Sequence, residues 1–315
     1  MKKILIVFTG GTIGSSNFDG VVSVKKEKSN EYKLLKLYNE KYPNHSFSFD
    51  MIEPFSLLSE NLHPKAWKKL VSEIEKKELD SYDGVIITHG TDTLAYSACF
   101  LSLYFNDLSI PVVLVSSDYI LEDSRSNGLI NFYIALEFIQ NINKSGVFVS
   151  YKNQNENPKI HNASLITQSL PLECYFKSVQ NKIFMEYIDN KFSLINENLS
   201  IIKMTKKIDF SNTKNVLLIH PYPGLDYNVF NLDTIDVVVH NLYHAGTACT
   251  NLSWGNNYSL LEFIKKCDQK NIPIFLAPMN DDDTIYETTN ILELHGARVE
   301  TNKTIEMVYV QKIFY

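Results

Sequence analysis

Two short runs set hydroxyls and a carboxylate beside glycines: "TGGT" at residues 9–12 and "THGTDT" at 88–93. In the first, Gly10 and Gly11 permit positive φ and close approach of the backbone to a ligand, and Thr12 then offers a hydroxyl. In the second, His89, Gly90, Thr91, Asp92 and Thr93 form a dense polar cluster directly before an apolar stretch. Each run has a plain alternative, a tight strand-to-helix turn closed by a capping threonine or aspartate. The spacing GxGxxG is absent, which argues against a dinucleotide loop. One cap needs one side chain, however, and the second run supplies three polar ones. Two such runs in one chain favour a paired hydroxyl site over two elaborate caps.

These runs need strands to hold them. Apolar segments at 4–8, 84–88, 112–115 and 147–149 are bounded by turns, and stretches at 64–79, 94–105 and 131–142 carry helical spacing. Near-continuous apolar strands separated by helices predict a parallel sheet covered on both faces. The second half repeats the pattern, with strands at 216–219, 237–239 and 274–277 and helices at 260–267 and 284–294. The polar stretch 187–213 shows little periodicity and reads as a connection. The fold expected is two α/β domains. The larger N-terminal domain, 1–190, has a mostly parallel, doubly wound sheet. A linker follows at 191–213, then a smaller C-terminal parallel α/β domain at 214–315. Ligands of open parallel sheets sit beyond the carboxyl ends of the strands. Both runs directly follow a strand, so they can face one cleft.

Composition bounds the partners. The chain has 315 residues, 44 % hydrophobic and 21 % charged, with a net charge of −6. A negative chain disfavours nucleic acid and anionic membrane surfaces as partners. Cys99, Cys174, Cys249 and Cys267 are scattered without CxxC spacing, as expected of reduced, mostly buried thiols rather than a disulfide framework or zinc site. The opening apolar run is too short for the h-region of a signal peptide, and no segment approaches a membrane span. The cytoplasm is the expected compartment.

Together, "TGGTIG" near the start and "DGVIITHGTDTLAYSA" downstream resemble the bacterial-type L-asparaginase family. The segments "PVVLVSSDYILEDSRSNGLINFYIAL" and "IHPYPGLD" extend the resemblance into both domains. It implies hydrolysis of the side-chain amide of asparagine, sometimes glutamine, through a threonine nucleophile and without a cofactor or metal. Thr12 matches the nucleophile. Thr91 and Asp92 match the second-loop pair, the threonine activating water or nucleophile and the aspartate gripping the α-amino group. Ser59 in "LLSENLHPKAW" matches the serine that binds the α-carboxylate, with Glu60 beside it at another substrate-contacting position. Gly11 and Gly90 are expected to bring backbone N–H groups close to the substrate. The family's catalytic lysine matches Lys159 in "KIHN", with Lys152 the alternative, in a segment several residues shorter than the family's. A lysine there can lower the effective pKa of a threonine hydroxyl or, kept neutral by burial, accept a proton through Thr91.

The chemistry fits these residue types. An amide carbonyl must be attacked by a hydroxyl whose proton is withdrawn, and the oxyanion needs fixed donors. A carboxylate such as Asp92 can fix an ammonium group. The family's mobile-loop tyrosine matches Val21, which cannot relay a proton; the candidates for its role are Tyr32 and the Thr91–Lys159 pair, and the pair is favoured because it comes with the resemblance. The chain also ends sooner after "TIEMVYVQKIFY" than is usual in the family. His89 is expected to be structural, as are His244, Thr247 and Cys249 in "LYHAGTACT". The run of three aspartates at 281–283 lacks EF-hand spacing and reads as a solvated helix start. The partner expected is a small amino-acid amide, neither nucleic acid nor membrane. The family's sites lie at subunit contacts, which implies a homodimer or homotetramer. The rival readings are a related amidase acting on glutamine or another amide, and a non-catalytic amino-acid-binding relative.

Overall fold

The computed structural model describes residues 1–18, 21–23, 31–196, 208–281 and 285–315, the side chains of 16–18, 21–22 and 31–32 excepted. The chain divides into two compact units, Met1–Thr205 and Lys206–Tyr315.

The first unit is built on an eight-stranded sheet. Its strands are β1 (Lys2–Phe8), β4 (Phe47–Ile52), β5 (Gly84–Thr88), β6 (Pro111–Val115), β7 (Gly146–Tyr151), β8 (Lys159–Asn162), β9 (Met185–Ile188) and β10 (Lys191–Leu194), in the spatial order β10-β9-β8-β7-β6-β5-β1-β4. A small antiparallel pair, β2 (Ser16–Phe18) and β3 (Val21–Ser23), follows β1. From β4 to β7 all pairings are parallel, and β8, β9 and β10 extend the sheet antiparallel. The helices are α1 (Glu31–Lys41), α2 (Pro64–Glu75), α3 (Leu94–Tyr104) and α4 (Gly128–Asn141).

Every residue of β5 and of β6 is buried. Side chains alternate across a strand, so both faces must be covered. On one face Ile4, Ile6, Ile86, Val113 and Val115 pack with Leu34 and Tyr38 of α1 and Phe132 of α4. The alternate set, including Leu5, Val7, Val85 and Ile87, is equally buried. Helix α2 buries Trp67, Leu70, Val71 and Ile74, one stripe at helical spacing, and Trp67 stacks on Phe100 of α3 with centroids 4.9 Å apart. Pro64 fits its first turn, and the His63 side chain accepts the Lys65 N–H.

The second unit holds a four-stranded parallel sheet in sequential order: β11 (Val216–Ile219), β12 (Val237–Asn241), β13 (Ile274–Met279) and β14 (Arg298–Thr301). Helices α5 (Leu260–Gln269), α6 (Glu287–Leu294) and α7 (Ile305–Phe314) accompany it. The fold is therefore α/β throughout, with a large parallel-dominated sheet and a second, smaller parallel one.

Three features depart from the sequence reading. Helix α2 stops at Glu75, and Leu79 opens a separate turn, Leu79–Ser81. Residues 191–194, inside the expected linker, form β10 on the outer edge of the large sheet. Asp189 and Asn190 both take positive φ, 49° and 61°, the backbone of a two-residue hairpin turn. Of the cysteines, Cys99 and Cys267 are buried, but Cys174 and Cys249 are exposed.

Candidate active site

The loop after β1 is fastened to two others. The buried Thr9 donates its hydroxyl to the Thr88 carbonyl at 2.6 Å, tying it to the loop after β5. The Gly11 N–H donates to the Leu57 carbonyl at 2.9 Å, and the Leu57 N–H donates to the Thr9 carbonyl at 3.0 Å. This brings in the segment that follows β4.

Two glycines make the junction possible. Gly11 has φ 74° and ψ −179°, a region essentially closed to L side chains. A Cβ on it would lie 2.3 Å from the Gly90 nitrogen, so the two main chains touch. A Cβ on Gly90 would lie 2.4 Å from the Ser59 hydroxyl. Thr12 and Thr91 each follow a glycine of this contact, and each begins a short 3-10 turn, Thr12–Gly14 and Thr91–Thr93. Both are half-buried, and among the described residues neither hydroxyl has a hydrogen-bond partner.

Ser59, 5 % exposed, is the third member. Its Oγ accepts the Asp92 N–H at 3.2 Å and donates to Asp92 Oδ2 at 3.4 Å, while its carbonyl accepts the Thr93 hydroxyl at 2.9 Å. Asp92 is exposed, and its carbonyl accepts Nε2 of Gln168. Glu60, next to Ser59, is also exposed. The structure thus gathers Gly11, Thr12, Ser59, Gly90, Thr91 and Asp92, drawn from three loops. One expectation changes. The Gly11 N–H is consumed by Leu57, whereas that of Gly90 has no partner among the described residues.

His89 is buried. Its Nδ1–H donates to the Gly90 carbonyl at 2.8 Å, and burial pushes its pKa down despite that bond. A neutral ring facing the main chain holds the loop in shape.

Lys159 opens β8. The register Thr88–Val115–Ser150–Ile160 puts it on the same carboxyl edge as the glycine contact, three strands across the sheet. The structure does not bring it against Thr91. Its Nζ lies 2.5 Å from Oε2 of Glu156 and its side chain is 15 % exposed, so its head is held in an ion pair. Burial opposes the charge on Glu156, but the Lys159 ammonium, the Tyr175 hydroxyl and the Asn153 amide outweigh it and draw the carboxyl down to about 2. Lys152 follows β7 and lines a separate polar cavity of about 560 Å³ with Asp118, Arg125 and Cys174. Glu156, Tyr175 and Gln168 escaped the sequence reading. Only Glu156 carried a signal, its place three residues before Lys159.

Among the described residues no group of three or more His, Cys, Asp or Glu side chains can hold a metal ion, and no helix is long and apolar enough to cross a membrane. Asp282 and Asp283 lie outside the described residues. Val21 falls in β3 and Tyr32 in α1, but their side chains also lie outside them. His244 and Cys249 are exposed, and Thr247 gives its carbonyl to the Tyr243 N–H at 2.9 Å.

The two-unit α/β fold is shared with solved L-asparaginases. The model of the family "Asparaginase, N-terminal" matches residues 3–197, and the chain belongs to the asparaginase family. It is 32 % identical to L-asparaginase 1 of Escherichia coli K12 over 155 residues, 49 % of this chain and 45 % of that protein. It is 27 % identical to a subunit of the Glutamyl-tRNA(Gln) amidotransferase of Saccharolobus solfataricus over 259 residues, 78 % of this chain and 56 % of that one. The chain thus spans about half the length of the curated relatives it matches. The fold is that of the thermostable L-asparaginase from Thermococcus kodakarensis, with a TM-score of 0.78, 22 % identity and coverage of 99 % and 92 % of the two chains. L-asparaginase I from Vibrio cholerae gives a TM-score of 0.78 at 23 % identity, with the same coverage.

Proposed function

We propose that this chain is an amidohydrolase that converts L-asparagine and water to L-aspartate and ammonia through Thr12. The observation that carries the reading is the contact of Gly11 with Gly90, with a threonine on either side of the junction whose hydroxyl has no partner among the described residues. Thr12 Oγ bonds to the amide carbonyl carbon, and its proton passes by way of Thr91 to the departing nitrogen, which leaves as ammonia. Water then splits the β-aspartyl ester, returning the proton to Thr12. The N–H of Gly90, without a partner among the described residues, is a donor for the oxyanion, the kind of fixed dipole whose loss typically costs about 10²–10³ in rate. Asp92 takes the α-ammonium group, and Ser59, with Glu60 beside it, takes the α-carboxylate end. Lys159, the lysine that the resemblance supplies, lies three strands across the sheet in a pair with Glu156 and is given no part in this proton transfer. No cofactor is required. The assembly is a homodimer or homotetramer, and the compartment is the cytoplasm.

A second reading is an amidase acting on glutamine, favoured by the similarity to the Glutamyl-tRNA(Gln) amidotransferase over 78 % of this chain. Ammonia release from L-asparagine, L-glutamine, D-asparagine and simple amides separates the two. Thr12→Ala is expected to abolish release while leaving the fold and aspartate binding intact. Wild-type turnover in that variant overturns the assignment. Binding of aspartate with no release from any amide by the wild type identifies an amino-acid-binding relative.

A further inference from the structure

A second cavity of the first unit lies at the amino edge of the large sheet, opposite the glycine junction. Strand β4 starts at Phe47, paired with Lys2 of β1, and the Lys2 N–H donates to the Ser46 carbonyl at 3.0 Å. Beside this start is a cavity of about 400 Å³, whose lining includes Tyr38 and Lys41 of α1, Tyr42 and His45 of the following turn, and Tyr133 and Glu137 of α4.

Ring-on-ring contacts lock its aromatic wall. Tyr42 stacks on Tyr133 with centroids 4.4 Å apart, and Tyr38 lies 5.2 Å from Tyr42 and 5.0 Å from His45. Tyr38, 1 % exposed, meets Phe132 edge-on at 5.3 Å. Nδ1 of His45 accepts the Phe47 N–H at 3.2 Å and its Nε2 faces Asn39 Oδ1 at 2.7 Å, so the ring is uncharged.

Glu137 has no counter-ion in this setting. It is half-buried, and its Oε2 accepts the Asn141 amide at 3.0 Å. Among the described residues no other hydrogen bond and no ion pair reaches its carboxylate. Burial pushes the carboxyl above its ordinary value, and the one amide bond does not offset this. The phenols of Tyr38, Tyr42 and Tyr133 are pushed up by burial first, with the Glu137 charge a further cause, so neutral hydroxyls stand near the carboxylate. Those of Tyr38 and Tyr42 have no hydrogen-bond partner among the described residues. The nearby lysines do not answer the charge. Lys2 is turned to Asp83 at 3.7 Å and to the Ile139 carbonyl at 3.3 Å. Lys41 is exposed, with its Nζ 5.8 Å from the Tyr42 ring centroid.

We propose that this cavity binds a protonated primary alkylamine, its ammonium seated on Glu137 and its alkyl chain along the tyrosine wall. A carboxylate drawn partly out of water is stabilised by a cation that donates hydrogen bonds to it. Tyrosine faces attract the same charge, as the placing of Lys41 over Tyr42 already illustrates. The Tyr38 and Tyr42 hydroxyls are acceptors for the remaining ammonium N–H groups. One carboxylate among phenols lacks the several carboxylate and carbonyl oxygens that a divalent ion takes. A quaternary ammonium could use the rings but would leave the oxygens without a donor. The site is separate from the hydrolysis proposed above and does not depend on it.

Titration calorimetry of the full chain with butylammonium chloride, at fixed ionic strength, tests the proposal. Saturable binding at one site is expected, with Tm rising as the amine saturates. Glu137→Gln should weaken binding about tenfold or more, the scale of a lost charged hydrogen bond, and Tyr42→Leu should weaken it less. Lys41→Gln should bind at least as tightly as wild type, since a competing cation is removed. Glu40→Gln alters an exposed carboxylate of the same helix α1 and should leave the affinity unchanged. Butanol, which lacks the charge, and tetramethylammonium, which lacks the N–H donors, should both bind much more weakly than the amine. Absence of saturable binding overturns the proposal, as does equal affinity in Glu137→Gln and wild type. Equal losses in Glu137→Gln and Glu40→Gln mean diffuse attraction to a chain of net charge −6 and overturn it too. Butanol binding as tightly as the amine would make the cavity an apolar hollow, and tetramethylammonium doing so would rule out the primary amine; either result overturns the assignment. Glu137→Gln should fold, because it removes a charge that burial disfavours. If it does not, Glu137→Asp, which withdraws the carboxylate by one methylene, replaces it with the same expected weakening.

Discussion

The two units use the same parallel architecture and build opposite surfaces at the carboxyl edges of their strands. At the edge of the large sheet, small residues let three loops touch, and the atoms proposed to act are hydroxyls, a carboxylate and main-chain groups. At the edge of the small sheet, Tyr222, Tyr227, Tyr243, Trp254 and Tyr258 wall an aromatic pocket of about 360 Å³. Loop composition alone makes the difference. Where glycine removes the Cβ, main chain approaches main chain and its dipoles become usable. Where rings crowd the loops, a void with apolar walls remains. A reaction that develops charge on a carbonyl oxygen suits the first edge and not the second.

The severest test of this contrast puts a single methyl group into the polar edge. Gly11→Ala places a Cβ 2.3 Å from the Gly90 nitrogen, at a φ of 74°. The backbone conformation alone disfavours alanine by about 1–3 kcal/mol, and parting the loops displaces both threonines. We expect kcat/KM for asparagine to fall by about 10³ or more. The measurement is steady-state kinetics with the fold checked by circular dichroism. A Gly11→Ala enzyme within tenfold of wild type breaks the contrast, because the close contact is then not needed.

Asp92→Ala comes next. Removing a charged hydrogen bond to the substrate ammonium should cost about 1.5–3 kcal/mol, or about 10–150-fold in kcat/KM. Discrimination against amides that lack an α-amino group should shrink by the same factor. Undiminished discrimination in this variant would show that another group reads the ammonium.

How much of this the chain displays in its sequence depends on how local the cause is. The strands β5 and β6 are legible because burial on both faces demands unbroken apolar runs. Strand β4, "FSFDMI", lies at the sheet edge with mixed burial and shows no such run. Helix α7 buries residues all round, Glu306 and Gln311 included, so it carries no amphipathic stripe to recognise. At the site, the glycines and threonines of both loops stand out by type. Ser59 came only through the family resemblance, because its partners Asp92 and Thr93 are more than thirty residues away. The claim of Leu57 on the Gly11 N–H depends on a chain crossing that no spacing encodes. The partnership of Tyr175 with Glu156 likewise depends on how residues 174–176 dock on the β7–β8 turn.

Acid sharpens the comparison, since each unit hides a neutral histidine. His161 in the first is pushed down to about 3, and His240 in the second, bonded to the Tyr227 hydroxyl at 2.8 Å, to about 4, both mainly by desolvation. The unfolded chain takes up these protons near the ordinary value of about 6.5. Stability is therefore fully present above about pH 6.5 and is lost as pH falls from there toward the folded values. At about pH 5 each histidine should account for about 2 kcal/mol of that loss. Urea unfolding of wild type, His161→Asn and His240→Asn at two pH values checks this, the variants showing the shallower dependence. Equal slopes in all three would mean that the rings are protonated while folded.

The smallest effect is expected at the aromatic edge. Trp254 is 78 % exposed although it lines the pocket, so its removal deletes little buried surface. Exposed substitutions of this kind usually change stability by no more than about 0.5 kcal/mol. Trp254→Ala should therefore melt with the wild type. It should also hydrolyse asparagine within about twofold of the wild-type kcat/KM, because a ring supplies neither a nucleophile nor an oxyanion donor. A tenfold loss of kcat/KM without a change in melting would break the contrast at its root. The aromatic wall would then belong to the reaction, and the two edges would have to be treated as parts of one function.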